Sequence, residues 1–331
     1  MITSILFYNS GGGIGDALQI MPLINSLKTN LKSTKFYYLP AHENLFNTKL
    51  KDFNCEIETL DLNIKYFGFR WWHFFVVKNI MRKNKIKSFD LIVDLQSKIR
   101  NSIILKKIPH KYFLSPCLNF KLSKPKLNIQ KNKKNYETAL NSINFLLNKN
   151  YEINKFNLNS IDKIFFEESK RLLPSNNYVG LSITQGNIYR KKEWPMKNII
   201  KLSNILIQNK KKVVFFIEKK NIQLKNDIQK IIPEALFPEH ETNISSPALV
   251  SSLGKRLDFA VTIDNGIMHM LAISEVPLIS LFGPTDSEKF APLYKDSIVL
   301  DSKKIYNSDD ISRISVEDVL NAAKHFLNFS N

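Results

Sequence analysis

Short apolar runs, each followed by a stretch with helical periodicity, recur from one end of the chain to the other, and this alternation restricts the fold more than any other feature. "SILFY", "KFYYLP" and "SFDLIVDLQ" read as strands, with "GDALQIMPLINSLKTN" and "KIRNSIILKK" as amphipathic helices among them. The pattern resumes with strands at "YVGLSI", "KVVFFI", "DFAVTI" and "PLISLF", and helices at "MKNIIKLSNILIQN", "NIQLKNDIQKII" and "IMHMLAIS". Continuously apolar strands separated by helices are those of parallel sheets covered on both faces. From Ser115 to Lys134 the chain carries Pro and Lys without periodicity and reads as a loop. Helices expected over 135–149 and 162–173 lead to Pro174 and "PSNN", a turn signal taken as the domain boundary. The expected fold class is α/β: two Rossmann-like domains, 1–174 and 175–331, whose parallel sheets face each other across a cleft. No repeat of fixed period is present.

Size supports two domains, because 331 residues exceed what one hydrophobic core usually holds. Two cysteines, Cys55 and Cys117, give neither a disulfide framework nor a metal-ligand spacing, so a reducing, cytoplasmic location is expected. The opening "MITSILFY" runs straight into a glycine-rich turn and reads as a first strand, not a signal peptide. The longest apolar run, "WWHFFVV", is broken by His73 and falls far short of the ~18 residues that span a bilayer. With 48 Lys and Arg against 30 Asp and Glu, the net charge of +18 attracts polyanions: nucleic acid, anionic lipid or a phosphorylated substrate. Lys is abundant along the whole chain, so a compositional background explains the total equally well, and local clusters must be judged separately.

Three constellations sit where ligands bind in an open α/β sheet, at the carboxyl ends of strands. The first is "NSGGGIGDALQIMP". Gly11, Gly13 and Gly15 are not spaced as a dinucleotide fingerprint, and no acid closes the second strand to hold a ribose. What the turn does allow is close backbone approach to a ligand, with Asp16 in the first helical turn; Asp16 reads equally as a helix cap. The second is "SITQGNIYRKKEWP", which places Lys191 and Lys192 on a loop entering a helix, a combination suited to a diphosphate or to a solvated basic loop anchored by Trp194. In the third, "DNGIMH", Asp264 closes a strand, Gly266 lets backbone amides approach, and His269 lies inside the next helix, where a buried histidine is also an ordinary core residue. Farther on, "FGPTD" is a turn with Thr285 or Asp286 as its cap.

In order and spacing these motifs resemble glycosyltransferase family 9, the heptosyltransferase family of lipopolysaccharide core assembly. Gly15, Asp16 and Pro22 match its G-D-x-x-x-x-x-P pattern, and "DLQSKIRNS" from Asp94 resembles its D-L-Q-x-x-x-R-S segment through Gln96 and Arg100. Gly186, Lys192, Trp194 and Pro195 match its turn and K-x-W-P, while Asp264, Gly266, His269, Val276, Pro277 and Phe282 to Asp286 match its last motifs. Three positions depart: Asn265 stands where the family usually has Thr, Gln185 replaces Pro, and "EKKNIQ" stands where a Glu usually holds the donor ribose, with Glu218 as a candidate substitute.

The resemblance implies a GT-B architecture and inverting transfer of a sugar, expected to be heptose, from a nucleotide-sugar donor, expected to be ADP-linked, to a lipopolysaccharide-core or related acceptor. It implies Asp16 as catalytic base, donor binding by Gly186, Lys192, Asp264, Asn265, Gly266, His269 and Glu218, and acceptor binding by Gly13, Gly15, Gln96 and Arg100. A transition state with oxocarbenium character needs these parts: a carboxylate for the acceptor proton and cations or amides for the departing diphosphate. No D-x-D motif calls for a metal, no cofactor is expected, and the nucleotide sugar is a substrate. From Tyr66 to Lys87, "YFGFRWWHFFVVKNIMRKNKIK" sets aromatics beside Arg and Lys. Such a face suits an anionic membrane surface carrying a lipid-linked or phosphorylated glycan, or equally a helix packed in the first domain. The expected location is cytoplasmic, peripheral at the inner face of the cytoplasmic membrane. Two other readings stand beside this one: a family member that binds a sugar nucleotide without transferring it, and a basic nucleic-acid-binding protein. Against the latter, no helix-turn-helix, zinc or RNP-like pattern is present, and nucleic acid is not an expected partner.

Overall fold

The computed structural model describes residues 2–83, 88–185, 191–292 and 294–326. The chain forms two compact units, Met1–Phe156 and Asn157–Asn331. The boundary lies before Pro174 because the helix Lys163–Leu172 packs against Pro247–Gly254 and so belongs to the second unit.

In the first unit the strands are β1 (Ser4–Asn9), β2 (Lys35–Pro40), β3 (Glu58–Thr59), β4 (Phe89–Asp94) and β5 (His110–Leu114), in the order β3-β2-β1-β4-β5. Every pairing among them is parallel. Strand β1 is central and almost wholly buried, which its unbroken apolar run requires. Leu6, Tyr8, Ile92 and Phe113 of the sheet pack with Val77 and Met81 of a helix on one face. The chain winds outward from β1 to β3 and then returns to β4 on β1's other side. The loops after β1 and β4 therefore diverge at a topological switch point. The single helix expected over 15–30 is two, α1 (Ile14–Leu18) and α2 (Met21–Asn30), because Pro22 has no N–H to continue the ladder and sits in the first turn of the second. Helices α3 (His73–Lys83), α4 (Ile99–Leu105) and α5 (Asn135–Leu147) complete the unit's longer helices.

The second unit begins near α6 (Lys163–Leu172) and contains β6 (Tyr178–Ser182), β7 (Lys212–Phe215), β8 (Leu257–Ile263), β9 (Leu278–Phe282) and β10 (Ser297–Asp301), in the order β10-β9-β8-β6-β7. These pairings are parallel too. Helices α7 (Met196–Gln208), α8 (Ile222–Ile231), α9 (Pro247–Gly254) and α10 (Gly266–Ile273) connect them. One core cluster joins Val179, Phe215, Phe259 and Leu281 of the sheet to Leu202 of α7 and Val319 of the helix Val316–Ala323. Here the switch point lies where β6 and β8 neighbour each other, which brings the loop after β6 to the loop after β8. Among the described residues no helix is long and apolar enough to cross a membrane.

Candidate active site

At the switch point of the first sheet, Asp16 lies half-buried in α1, and the glycine turn folds back over it. Gly13 N–H donates to Asp16 Oδ2 at 3.2 Å, so Gly13 caps the short helix through the carboxylate. At Gly11 a side chain would have no room: a Cβ would lie 2.4 Å from Asp16 Cγ. Buried Asn9 closes β1, and its Oδ1 accepts from Gly11 N–H at 2.9 Å and from Gln96 Nε2 at 3.0 Å. The loop after β4 is held in turn by buried Asp94, which accepts from Gln96 N–H at 3.0 Å, Ser115 Oγ at 2.9 Å and Ser102 Oγ at 2.5 Å. Burial outweighs these donors and pushes the Asp94 carboxyl up to about 6.

Gln96 and Arg100, expected at the acceptor, each have a partner within the unit. The Gln96 amide bonds Asn9, and Arg100 Nε donates to Gly68 O at 3.1 Å while its guanidinium lies over the Phe69 ring. Gly68 has φ +88°, and a Cβ there would meet Tyr8 Oη at 2.5 Å. Tyr8 Oη donates to Phe67 O at 2.7 Å, and His73 Nδ1 accepts from Gly68 N–H at 3.1 Å. These bonds lash the aromatic segment to the sheet but leave Trp71, Trp72 and Phe75 57%, 56% and 75% exposed. Residues 84–87, the end of the segment read as basic and aromatic, lie outside the described residues.

In the second unit, Lys192 and Asp264 meet at the β6–β8 switch point. Lys192 Nζ pairs with Asp264 Oδ2 and donates to Asp264 O at 3.2 Å, with both side chains largely buried. The ammonium expected to meet a diphosphate is thus paired with a carboxylate. Lys191, with φ +46°, is exposed. Lys192 N–H donates to Gln185 Oε1 at 2.9 Å, and Trp194 Nε1 donates to Ile314 O at 2.8 Å, so residues 191–195, just before α7, are held at two points. Asn265 caps α10 by accepting from Met268 N–H at 2.9 Å, and its Nδ2 donates to Ser182 Oγ at 2.7 Å and Thr184 O at 2.8 Å. One side chain therefore ties the ends of β6 and β8 together beside Gly266, where the first turn of α10 offers backbone N–H groups to an anion. His269 is buried inside α10. Gly186 lies outside the described residues.

Over residues 77–320 the chain matches the family described as glycosyltransferase family 9 (heptosyltransferase). It belongs to that family. Lipopolysaccharide heptosyltransferase 1 of Campylobacter coli is 23% identical over 265 residues, 73% of this chain and 77% of that one. Lipooligosaccharide heptosyltransferase 2 of Haemophilus influenzae is 30% identical over 115 residues, and that match spans only about a third of either protein, 33% and 32%. Among solved structures, the family 9 glycosyl transferase of Veillonella parvula superposes with TM-score 0.70 at 17% identity, over 98% of this chain and 97% of that one. E. coli heptosyltransferase WaaC with ADP-2-deoxy-2-fluoro heptose gives 0.68 at 14% identity over 98% and 100%. The expected GT-B-type pair of parallel-sheet domains is the fold of these relatives.

Within this family 9 chain, Glu218 stands just beyond β7, 59% exposed along its side chain and paired with Lys220. Sequence reasoning missed its neighbour Glu239. Residue Leu236 bridges Val214 of β7 in parallel, and this carries Glu239 to the same sheet end. Glu239 is buried, accepts from Ser245 Oγ, and has no hydrogen-bond partner for Oε1 among the described residues. Burial, then the nearby Glu218, raises its pKa. Glu239 in "FPEHET" gives no signal, because only the strand-like path of residue 236 brings it there. In the "FGPTD" turn the cap is Asp286, which accepts from Glu288 N–H at 2.9 Å and Lys289 N–H at 3.2 Å.

Proposed function

We propose that the protein transfers heptose from ADP-heptose to a lipopolysaccharide-core acceptor with inversion. The observation that carries this reading is the pair of furnished switch points: a carboxylate folded into the β1 turn, and an ammonium with helix-start amides at the β6–β8 loops. The acceptor hydroxyl attacks the anomeric carbon, and a new C–O bond forms. The bond from that carbon to the diphosphate oxygen breaks, its electron pair leaving on ADP, and the hydroxyl proton passes to Asp16. Lys192 and the amides near Gly266 take the charge of the leaving diphosphate, with Asp264, Asn265 and His269 around the donor and Glu218 toward its ribose. Gly13, Gly15, Gln96 and Arg100 shape the acceptor side. The nucleotide sugar is consumed as substrate, and no resident cofactor or metal is invoked. A melting-temperature panel of ADP, GDP, UDP and CDP tests the donor, since a ligand that binds only the folded state raises apparent stability with concentration. ADP alone should shift the transition; a response to another nucleotide and none to ADP would refute the assignment.

Exposed Trp71, Trp72 and Phe75, with Arg70, Lys78 and Arg82 on the same stretch, favour peripheral attachment to the inner face of the cytoplasmic membrane, where a lipid-linked acceptor resides. Vesicles containing anionic lipid should sediment the protein at low salt and release it as salt rises. Failure to sediment at low salt would remove the attachment.

A further inference from the structure

We propose that Asn9 is a positioning residue for Asp16 and that Gln96 acts through it. This inference rests on the reading of Asp16 as the base for the acceptor hydroxyl. A glycine-rich turn gives the backbone room to come close, but it is also the least restrained kind of chain. Something must hold the carboxylate in one place, because a displacement of ~1 Å in a reacting group can cost on the order of 100-fold in rate. Asn9 is the last residue of the central strand and is buried, so its amide plane is fixed by the sheet. That amide reaches three parts of the loop system. Its Oδ1 accepts from Gly11 N–H at 2.9 Å, the start of the turn, and from Gln96 Nε2 at 3.0 Å, in the loop after β4. Its Nδ2 donates to the backbone oxygen of Asp16 at 3.1 Å.

The two ends of the glycine turn are therefore clamped by one planar group, with Gln96 bracing it from the neighbouring strand. The carboxylate is packed onto the clamped turn: Gly13 N–H donates to it, and Gly11 leaves no gap at its Cγ. From β2, the buried phenol of Tyr38 borders both Asn9 and Asp16. Its ionisation is disfavoured first by burial and then by the Asp16 charge. The chemistry selects Asn at this position. Asp could accept from Gly11 and Gln96 but could not donate to the Asp16 carbonyl, and a hydroxyl side chain is shorter and crowds its donor and acceptors onto one oxygen, without the amide's two separate ends.

The test measures transfer from ADP-heptose to heptose-free lipopolysaccharide in five proteins: wild type, Asn9→Ala, Gln96→Ala, Asp16→Asn and the Asn9→Ala/Asp16→Asn double variant. Asn9→Ala should lower kcat by about 10-fold or more while both KM values stay within about threefold, because the group acts on the base and not on substrate binding. Gln96→Ala should lower kcat in the same sense by less. In the Asp16→Asn background, Asn9→Ala should cost no more than about twofold further, since there is no base left to position. A folded Asn9→Ala enzyme with kcat within about twofold of wild type would overturn the proposal, as would an equal loss in both backgrounds. If Asn9→Ala fails to fold, Gln96→Ala decides alone, and an unchanged kcat overturns it. Near-normal kcat in Asp16→Asn would bring down the base assignment itself. A dead Asp16→Asn enzyme beside unaffected Asn9→Ala and Gln96→Ala would bring down only the positioning role.

Discussion

Replacing Asn265 should cost the second unit more stability than any ordinary surface change, in an order the structure dictates. Its side chain makes three hydrogen bonds: it accepts from Met268 N–H and donates to Ser182 Oγ and Thr184 O. Removing a helix cap costs about 1 kcal/mol. Each lost donation costs about 1 kcal/mol more, and Ser182 is buried, so its hydroxyl has little water to turn to. Asn265→Ala should therefore lose roughly 2–4 kcal/mol, or roughly 5–15 °C in Tm for a unit of this size. Asn265→Thr, which installs the residue usual in family 9, keeps an oxygen for the cap and forfeits only the donations, so it should lose about 1–2 kcal/mol. Trp71, Trp72 and Trp194 are the chain's tryptophans, and only Trp194 lies in the second unit. Urea unfolding followed by tryptophan fluorescence in a Trp71→Phe/Trp72→Phe background thus reports the second unit alone. A loss below about 0.5 kcal/mol for Asn265→Ala, or equal losses for Ala and Thr, would refute the reasoning.

Two further outcomes are expected. Lys192→Ala should weaken ADP binding by roughly 10- to 100-fold through loss of a charge-assisted contact, and Asp264→Asn, which frees the ammonium from its carboxylate partner, should weaken it by less; unchanged ADP affinity of Lys192→Ala in a calorimetric titration would take the cation out of the site. For Asp94, burial raises the folded-state pKa to about 6 from 3.8, so the unfolded chain ionises first and stability falls as pH rises through that window, by about 3 kcal/mol in all. Asp94→Asn should flatten that part of the stability–pH curve, and an unchanged slope in urea midpoints would contradict the burial assignment.

Central strands and the motifs at their carboxyl ends were legible in the sequence because burial on both faces leaves an unbroken apolar run. Strands β5 and β10 were not read, since edge strands bury less and theirs begin with polar or half-exposed residues such as His110 and Ser297. The break between α1 and α2 was encoded by Pro22 but hidden by apolar periodicity that runs through it. Side-chain pairings were beyond reach. Lys192 finds Asp264, 72 positions away, and Gln96 finds Asn9, 87 away, only because strand order makes their loops neighbours. Hence the sequence marks Lys192 and Gln96 as candidate ligand-binding residues but not the partner that the fold gives each within the protein.

The most direct measurement is the transfer rate of Asp16→Asn with ADP-heptose and heptose-free lipopolysaccharide, taken beside its melting temperature and ADP affinity. Asn preserves the shape and can still accept from Gly13 N–H, so Tm should stay close to wild type. ADP affinity, assigned to the second unit, should not change. Turnover should fall by ~100-fold or more, because an amide cannot take the acceptor's proton. A near-normal rate would contradict the catalytic assignment, and a lost rate explained by lost stability would leave Asp16 as a helix cap and nothing more.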